Sequence, residues 1–137
     1  MKTRNVFLLI LTFILWLGLD FGCSIFRKAT NNKGAIPAED LYRAYQTNEA
    51  DADKLYKGKI VIVTGTIGAV RTARPDLGLA GGINLVDSRQ KPIVNCFGFD
   101  SDQNALAKLR PGQEITVKCK GAGKIAGFPS LDDCALQ

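Results

Sequence analysis

The sequence predicts a mainly β fold with flanking helices, namely a five-stranded OB-fold barrel preceded by N-terminal helices and an apolar leader or anchor. Two observations predict it. Segments rich in β-branched residues alternate with glycine-containing turns over the C-terminal hundred residues. The one helix predicted among them falls between the third and fourth strands, which is the order of an OB barrel. An SH3-like barrel lacks that helix, and an immunoglobulin sandwich needs more strands.

Composition points to a binding or structural module rather than an enzyme. The chain has 137 residues and a net charge of +5, and removing residues 1–23 leaves 16 basic and 12 acidic side chains, or +4. This surplus suits either an anionic partner or a solvated surface. Histidine is absent, which excludes hydrolases built on a Ser–His or Cys–His pair. We therefore expect no catalysis and no cofactor.

Residues 1–23 are predicted to be a signal peptide or a membrane anchor. Lys2 and Arg4 precede the apolar run Val6–Leu19. Its 14 residues fit a signal-peptide core better than a spanning helix, which needs about 20 residues.

The end of this apolar segment resembles a bacterial lipoprotein box, Leu19-Asp-Phe-Gly-Cys23, with Cys23 as the candidate for lipidation. A lipoprotein, an uncleaved anchor and a secreted protein all remain open. Each of them predicts a location in the bacterial cell envelope, either anchored in the membrane or free in the periplasm or outside the cell. Residues 24–36 lack hydrophobic periodicity and are predicted to be a linker.

Two short helices are predicted to open the OB-fold domain, residues 37–137. Pro37 and the acidic residues after it favour a helix start, and Leu41 and Tyr45 form an apolar stripe at i, i+4 spacing. A second helical stretch, residues 50–56, ends at a Lys-Gly pair.

The first half of the barrel follows these helices. Residues 59–70 predict a long first strand, in which Gly65 indicates a bulge or a sharp bend. Such a bend lets one strand take part in both sheets of a small barrel. The glycine-rich residues 71–82 predict a mobile loop, and residues 83–86 and 92–99 predict the next two strands.

The second half of the predicted barrel begins with a helix. Ser101 or Asp102 is its candidate N-cap, and Leu106 is an inward-facing residue. Residues 114–120 and 130–136 predict the last two strands.

Several motifs of the domain are similar to those of the OB-fold family called tRNA_anti-like. They are Leu41–Lys59, Val63-Thr-Gly65, Val94-x-Cys96, Leu109-x-x-Gly112-Gln113 and Leu131-x-Asp-Cys134. The resemblance covers nearly all of residues 38–137. It implies the OB fold and is consistent with export, since many members look like exported proteins or lipoproteins. It implies no activity, because the name records only a likeness to the anticodon-binding barrel of tRNA synthetases.

Three cysteines fall in the predicted barrel. A hairpin turning near residues 126–127 would place Cys119 opposite Cys134, close to disulfide reach. A Cys96–Cys134 bond is the alternative, because the third and fifth strands of an OB barrel are neighbours. No C-x-x-C pair is present, so we expect no metal site.

Basic and aromatic side chains supply the candidate ligand contacts. Phe97 and Phe99 share a parity, so we expect them to face one side, either packed or as a stacking platform. Five basic residues are the candidates for binding an anionic ligand: Arg71, Arg74, Arg89, Lys91 and Lys120.

Two functions follow from these features. The first is a membrane-tethered or exported OB-fold binding or structural module of the bacterial envelope, held to the membrane through residues 1–23 and contacting an envelope protein, a glycan or a lipid. The second is an OB-fold domain that binds nucleic acid, either single-stranded or tRNA-like.

Overall fold

A computed structural model describes residues 34–100 and 102–137. The predicted leader, the linker through residue 33, the lipidation of Cys23 and the cap at Ser101 lie outside the described residues. Among those described, no helix has the length and apolar character that crossing a membrane requires.

The described residues form six strands and three α-helices. The strands are β1 (Ile36–Pro37), β2 (Ile60–Arg71), β3 (Gly82–Val86), β4 (Pro92–Phe97), β5 (Glu114–Ile125) and β6 (Phe128–Leu136). The helices are α1 (Ala38–Thr47), α2 (Glu49–Tyr56) and α3 (Gln103–Leu106), and there is a 3-10 turn (Pro75–Leu77).

The strands β2 to β6 close into the five-stranded OB barrel that the sequence predicts. Their order around the barrel is β2-β3-β4-β6-β5, and β5 returns to β2. Strand β2 closes the barrel because its first half pairs with β5 from Ile60 to Thr66, while its second half pairs with β3 from Thr66 to Arg71. The pairing of β4 with β6 is parallel, and the other pairs within the barrel are antiparallel.

Of the bulge or sharp bend predicted at Gly65, the bulge was wrong in its position. The register of β2 with β5 runs without interruption through Gly65, and the shift against β3 falls between Ile67 and Ala69. Gly65 instead faces inward, where a Cβ atom would lie 3.0 Å from the Cβ of Ala38 and 3.2 Å from Leu85. This glycine therefore lets α1 and β3 approach the shared strand closely.

Helix α1 closes the end of the barrel at which β2 begins. Strand β1 pairs in parallel with Val63 and Thr64, so the chain enters the domain beside the first half of β2. Leu41 and Tyr45 are 0% and 3% exposed and belong to the core, as their i, i+4 spacing predicts.

Helix α2 packs against β5 across two glycines. Its N-cap is Asn48, whose side chain accepts a hydrogen bond from the backbone of Asp51. The Asp53 carboxylate pairs with Lys57 Nζ at 3.4 Å. A Cβ atom at Gly121 would overlap the carbonyl oxygen of Tyr56, and one at Gly123 would lie 3.3 Å from Asp53 Oδ1. The helix therefore lies closer to β5 than larger residues would allow.

The junction between α1 and α2 predicts a loss of stability at high pH. Burial, helped by the Asp53 carboxylate, raises the pKa of Tyr45 from 10.0 to about 12. The folded chain holds the Tyr45 proton more tightly than the unfolded chain does. The contribution of Tyr45 to the free energy of unfolding is therefore complete below pH 10 and is lost as the pH rises towards 12. In a spectrophotometric titration, Tyr45→Phe should remove a component of the tyrosinate absorbance that appears near pH 12. Removal of a component near pH 10 would contradict this prediction.

The last part of the chain departs from the predictions in two places. Strand β5 continues to Ile125 and forms a tight hairpin with β6 at Ala126-Gly127, whereas the predicted strands end at residue 120 and resume at residue 130. Asp102 precedes α3 but makes no capping hydrogen bond with its side chain. Its carboxylate instead accepts a hydrogen bond from the backbone of Leu136 at 3.3 Å, so it ties the helix to β6.

Candidate functional site

The five basic candidates for ligand binding lie in three separate places. Arg71 and Arg74 lie at the end of β2 and in the loop after it, while Arg89 and Lys91 lie in the turn between β3 and β4. Strand β3 separates these two groups by about 15 Å, at the usual rise of about 3.3 Å per residue. Lys120 lies on β5, whose neighbours are β2 and β6, and therefore on another side of the barrel. The structure brings no more than two of the five together.

The described domain is nearly neutral. Residues 34–137 contain 13 basic and 12 acidic side chains, a difference of +1, whereas residues 24–33 contribute Arg27, Lys28 and Lys33. Most of the net positive charge that remains after removal of residues 1–23 therefore belongs to residues 24–33, before the barrel. A domain with this balance lacks the strong positive field that draws polyanions to a protein.

The loop 72–81, between β2 and β3, has a regular hydrogen-bonded form. The backbones of Arg74 and Leu79 exchange two hydrogen bonds, of 2.8 and 3.0 Å. Between them lies the 3-10 turn, which ends at Gly78 with φ +64°. These bonds define one tight turn at the tip of the loop that the sequence predicts. Its tip is therefore preformed, and binding through it would cost little ordering entropy.

Two leucines at the tip of this loop are exposed. Leu77 and Leu79 are 60% and 57% accessible, although leucine is among the residue types most often buried. Arg71, at the base of the loop, lies within 4.0 Å of no carboxylate in the described ranges. Arg74 pairs with Asp76 at 3.6 Å. Sequence reasoning missed the two leucines, although leucines on both sides of Gly78 in a predicted loop were a signal.

The two glycines at the end of the loop serve packing. A Cβ atom at Gly81 would lie 2.8 Å from Leu106, and one at Gly82 would lie 2.5 Å from the carbonyl oxygen of Cys96. The loop is thereby pressed onto α3 and β4. This close packing accounts for part of the glycine richness of the loop.

The outer face of β3 and β4 carries one of the two expected aromatic rings. Phe97 is half-buried on β4, whereas Phe99 lies beyond the strand end and is fully buried in the core. Gly98, with φ +73°, separates them. The prediction that both rings face one side was therefore wrong, because it assumed an unbroken strand. One half-buried ring is a poor stacking platform, since single-strand binders stack successive bases on several rings.

A hollow of about 340 Å³ lies between α1 and the turn from β3 to β4. Tyr42, Arg43 and Asp87 are among the residues that line it. Arg43 is paired with Asp40 at 3.0 Å. The Asp87 carboxylate accepts hydrogen bonds from the backbones of Arg89 and Lys91 and so stabilises its own turn. The charges of Arg43 and Asp87 are therefore already engaged within the domain.

The three barrel cysteines meet inside the core. Cys119 and Cys134 form a disulfide with a Cα–Cα distance of 4.2 Å, which is the pairing that the hairpin geometry favours. Cys96 is a free, fully buried thiol, and the three sulfur atoms lie within 4.8 Å of one another. Burial raises the pKa of the Cys96 thiol to about 12. With two sulfurs bonded and the third protonated, the cluster holds no thiolate ligand in this state.

Comparison with known proteins relates the chain to one family and one fold. The model of the tRNA_anti-like family matches residues 1–135. Among solved structures, the chain is similar to a lipoprotein of Klebsiella pneumoniae to which nucleic-acid binding has been ascribed. The TM-score is 0.60 at 16% identity, over 75% of this chain and 92% of that one. No curated protein matches. At that identity the similarity to the solved structure concerns the fold alone.

Proposed function

Because the chain belongs to the tRNA_anti-like family, we propose that it is a membrane-tethered OB-fold module of the bacterial envelope that binds a partner protein through the loop 72–81. The apolar run Val6–Leu19 and Cys23 supply the tether. The similarity to a lipoprotein supports this location. We further propose that the module binds rather than catalyses, which agrees with the absence of histidine.

The exposed leucines carry this proposal. Leu77 and Leu79 present apolar surface on a turn that is already ordered by hydrogen bonds. Such a tip would release water on entering an apolar cleft and would lose little conformational entropy. Arg71 beside it would favour an acidic rim on the partner.

The entry point of the chain supports the choice of this loop. The polypeptide enters the domain beside Val63, and β2 then runs to Arg71 at the loop. Eight residues of strand span about 25 Å. A tether before residue 34 therefore attaches at one end of β2 and leaves the opposite end for a partner.

Photocross-linking in bacterial membranes would test the proposal. We expect a cross-linking amino acid at Ala80, beside the tip, to capture one protein of defined mass. Leu77→Ser/Leu79→Ser should reduce the adduct roughly tenfold, because two buried leucine contacts are lost. The same exposed substitutions should change the free energy of unfolding by only about 0.5 kcal/mol.

A cross-linker at Ser88 is the matched control, since this residue is exposed in the turn between β3 and β4, at the other end of those strands. It should yield no such adduct. An equal adduct from both positions, or one that persists in the double leucine variant, would refute the assignment of the loop.

Nucleic-acid binding is the second candidate function. Phe97 on the outer face of β4, with Arg71 and Arg89 near the two ends of β3, favours it. The near-neutral domain weighs against it. Fluorescence anisotropy with a labelled single-stranded oligonucleotide separates the two candidates. Binding that weakens with salt and with Arg89→Glu/Lys91→Glu would replace the partner-protein proposal.

A further inference from the structure

A strip of lysines and isoleucines lies on the outer face of the barrel where β2 meets β5. It consists of Ile60, Ile62, Lys118 and Lys120, and we call it the lysine–isoleucine strip. Ile60 pairs with Lys120 and Ile62 pairs with Lys118 across the two strands. The alternate residues, such as Val61 and Cys119, face the core, so the strip faces outward.

The strip combines exposed apolar surface with unpaired positive charge. Ile60 is 61% exposed, although it lies within a strand of the barrel. In the described part of the chain, no carboxylate lies within 4.0 Å of the ammonium groups of Lys118 or Lys120. Lys59, directly before Ile60, alternates to the other face and donates a hydrogen bond to the carbonyl of Lys54 in α2 at 2.6 Å, so it is not part of the strip.

The acidic residue nearest in register does not neutralise the strip. Asp132 lies opposite Lys120 on β6. Its Oδ1 accepts a hydrogen bond from the backbone of Asp133 at 2.9 Å and lies 2.7 Å from the position of a Cβ at Gly98. The carboxylate is therefore turned towards the end of β4. Glu114, the acidic residue of β5, pairs with Thr66 at the far end of the ladder.

The strip lies on the half of β2 at which the N-terminal segment joins the domain. Strand β1 pairs with Val63 and Thr64, directly after Ile62. Between Leu19 and Gly34 the chain reaches at most about 50 Å, so a bilayer that holds the apolar run would lie within reach. Arg27, Lys28 and Lys33 add positive charge to this connecting segment.

We propose that the lysine–isoleucine strip is a membrane-facing surface that binds the headgroups of anionic phospholipids; this inference rests on the proposed tether. Its lysines lie where the negative surface potential of an anionic leaflet acts, within about 8 Å at physiological ionic strength. Ile60 enters the headgroup region beside them. The bilayer then orients the barrel with the loop 72–81 pointing away from it.

Lysine acetylation of the full chain reconstituted with vesicles tests this inference. The vesicles contain phosphatidylcholine alone or phosphatidylcholine with phosphatidylglycerol, and mass spectrometry reads each site. We expect acetylation of Lys118 and Lys120 to slow about threefold or more in the anionic vesicles, with the protection lost at high salt. Lys91 and Lys108, outside the strip, serve as internal controls and should react equally in both vesicles.

A variant and a flotation assay make the outcomes distinguishable. In Ile60→Ser/Lys118→Glu the protection of Lys120 should disappear. If the chain floats with both kinds of vesicle but the strip lysines react as fast in the anionic ones, the strip proposal is overturned and the tether stands. If the chain floats with neither kind, both proposals are overturned.

Discussion

Removal of the Cys119–Cys134 disulfide is expected to lower the free energy of unfolding by about 3 kcal/mol. The bond closes a hairpin loop with a sequence separation of 15, and loops of this size are stabilised by about that amount through the unfolded chain. Thermal unfolding of Cys119→Ala/Cys134→Ala in detergent, followed by circular dichroism, should show a midpoint roughly 12–24 °C lower, at about 4–8 °C per kcal/mol.

Both cysteines must be replaced because of the third sulfur. Cys96 lies within 4.8 Å of its two neighbours, so a single replacement leaves it able to form a new bond. Cys96→Ala is the matched control, since it also truncates a buried cysteine but keeps the disulfide. It should cost about 1 kcal/mol. Equal losses in the control and in the double variant would show that packing, and not the bond, stabilises this core.

Gly121→Ala is expected to destabilise the domain by about 3 kcal/mol or more. The added methyl group would overlap the carbonyl oxygen of Tyr56, which belongs to helix backbone and cannot turn aside as a side chain can. To relieve the overlap, α2 must move off β5. That movement breaks the hydrogen bonds of Gly121 with Gly58 and Lys59, which measure 2.7 and 2.9 Å. Chemical denaturation followed by circular dichroism would measure the loss.

Gly112→Asn is the control for this substitution. Gly112 has nothing within 4 Å of its Cβ position and a φ of +86°, a conformation that asparagine tolerates better than most residues. We expect a cost of about 1 kcal/mol. If Gly121→Ala costs no more than this control, α2 adjusts easily and the close contact with β5 is not a strong constraint on the fold.

The order of elements could be predicted from the sequence because it depends on local patterns. Leu41 and Tyr45 recur at helical spacing, and Ile115, Val117 and Cys119 alternate along β5, so each segment specifies its own period and its buried face. The disulfide could be predicted for a related reason, since a hairpin centred on residues 126–127 places Cys119 and Cys134 at equal distances from its turn.

The errors arose where one segment contacts another. Gly65 and Gly68 look alike in the sequence, but the bulge lies near Gly68 because β3 pairs with only the second half of β2. Phe97 and Phe99 separate because Gly98 turns the chain where β4 ends. The Asp102 carboxylate accepts a hydrogen bond from the backbone of Leu136 in β6 instead of capping its own helix. The first and third errors involve segments that are distant in sequence, whereas the second depends on the local positive φ of Gly98.

By itself, the sequence determined the barrel, its two opening helices, the family resemblance and the cysteines close enough to bond, because hydrophobic period and turn chemistry act over neighbouring residues. Only the tertiary structure decided which surfaces face outward together. It divided Arg71, Arg89 and Lys120 among three separate places, placed Ile60 beside Lys120, and presented Leu77 and Leu79 on a hydrogen-bonded turn. The reason is physical, since a surface is assembled from strands distant in the chain, and their register and barrel order fix which side chains become neighbours.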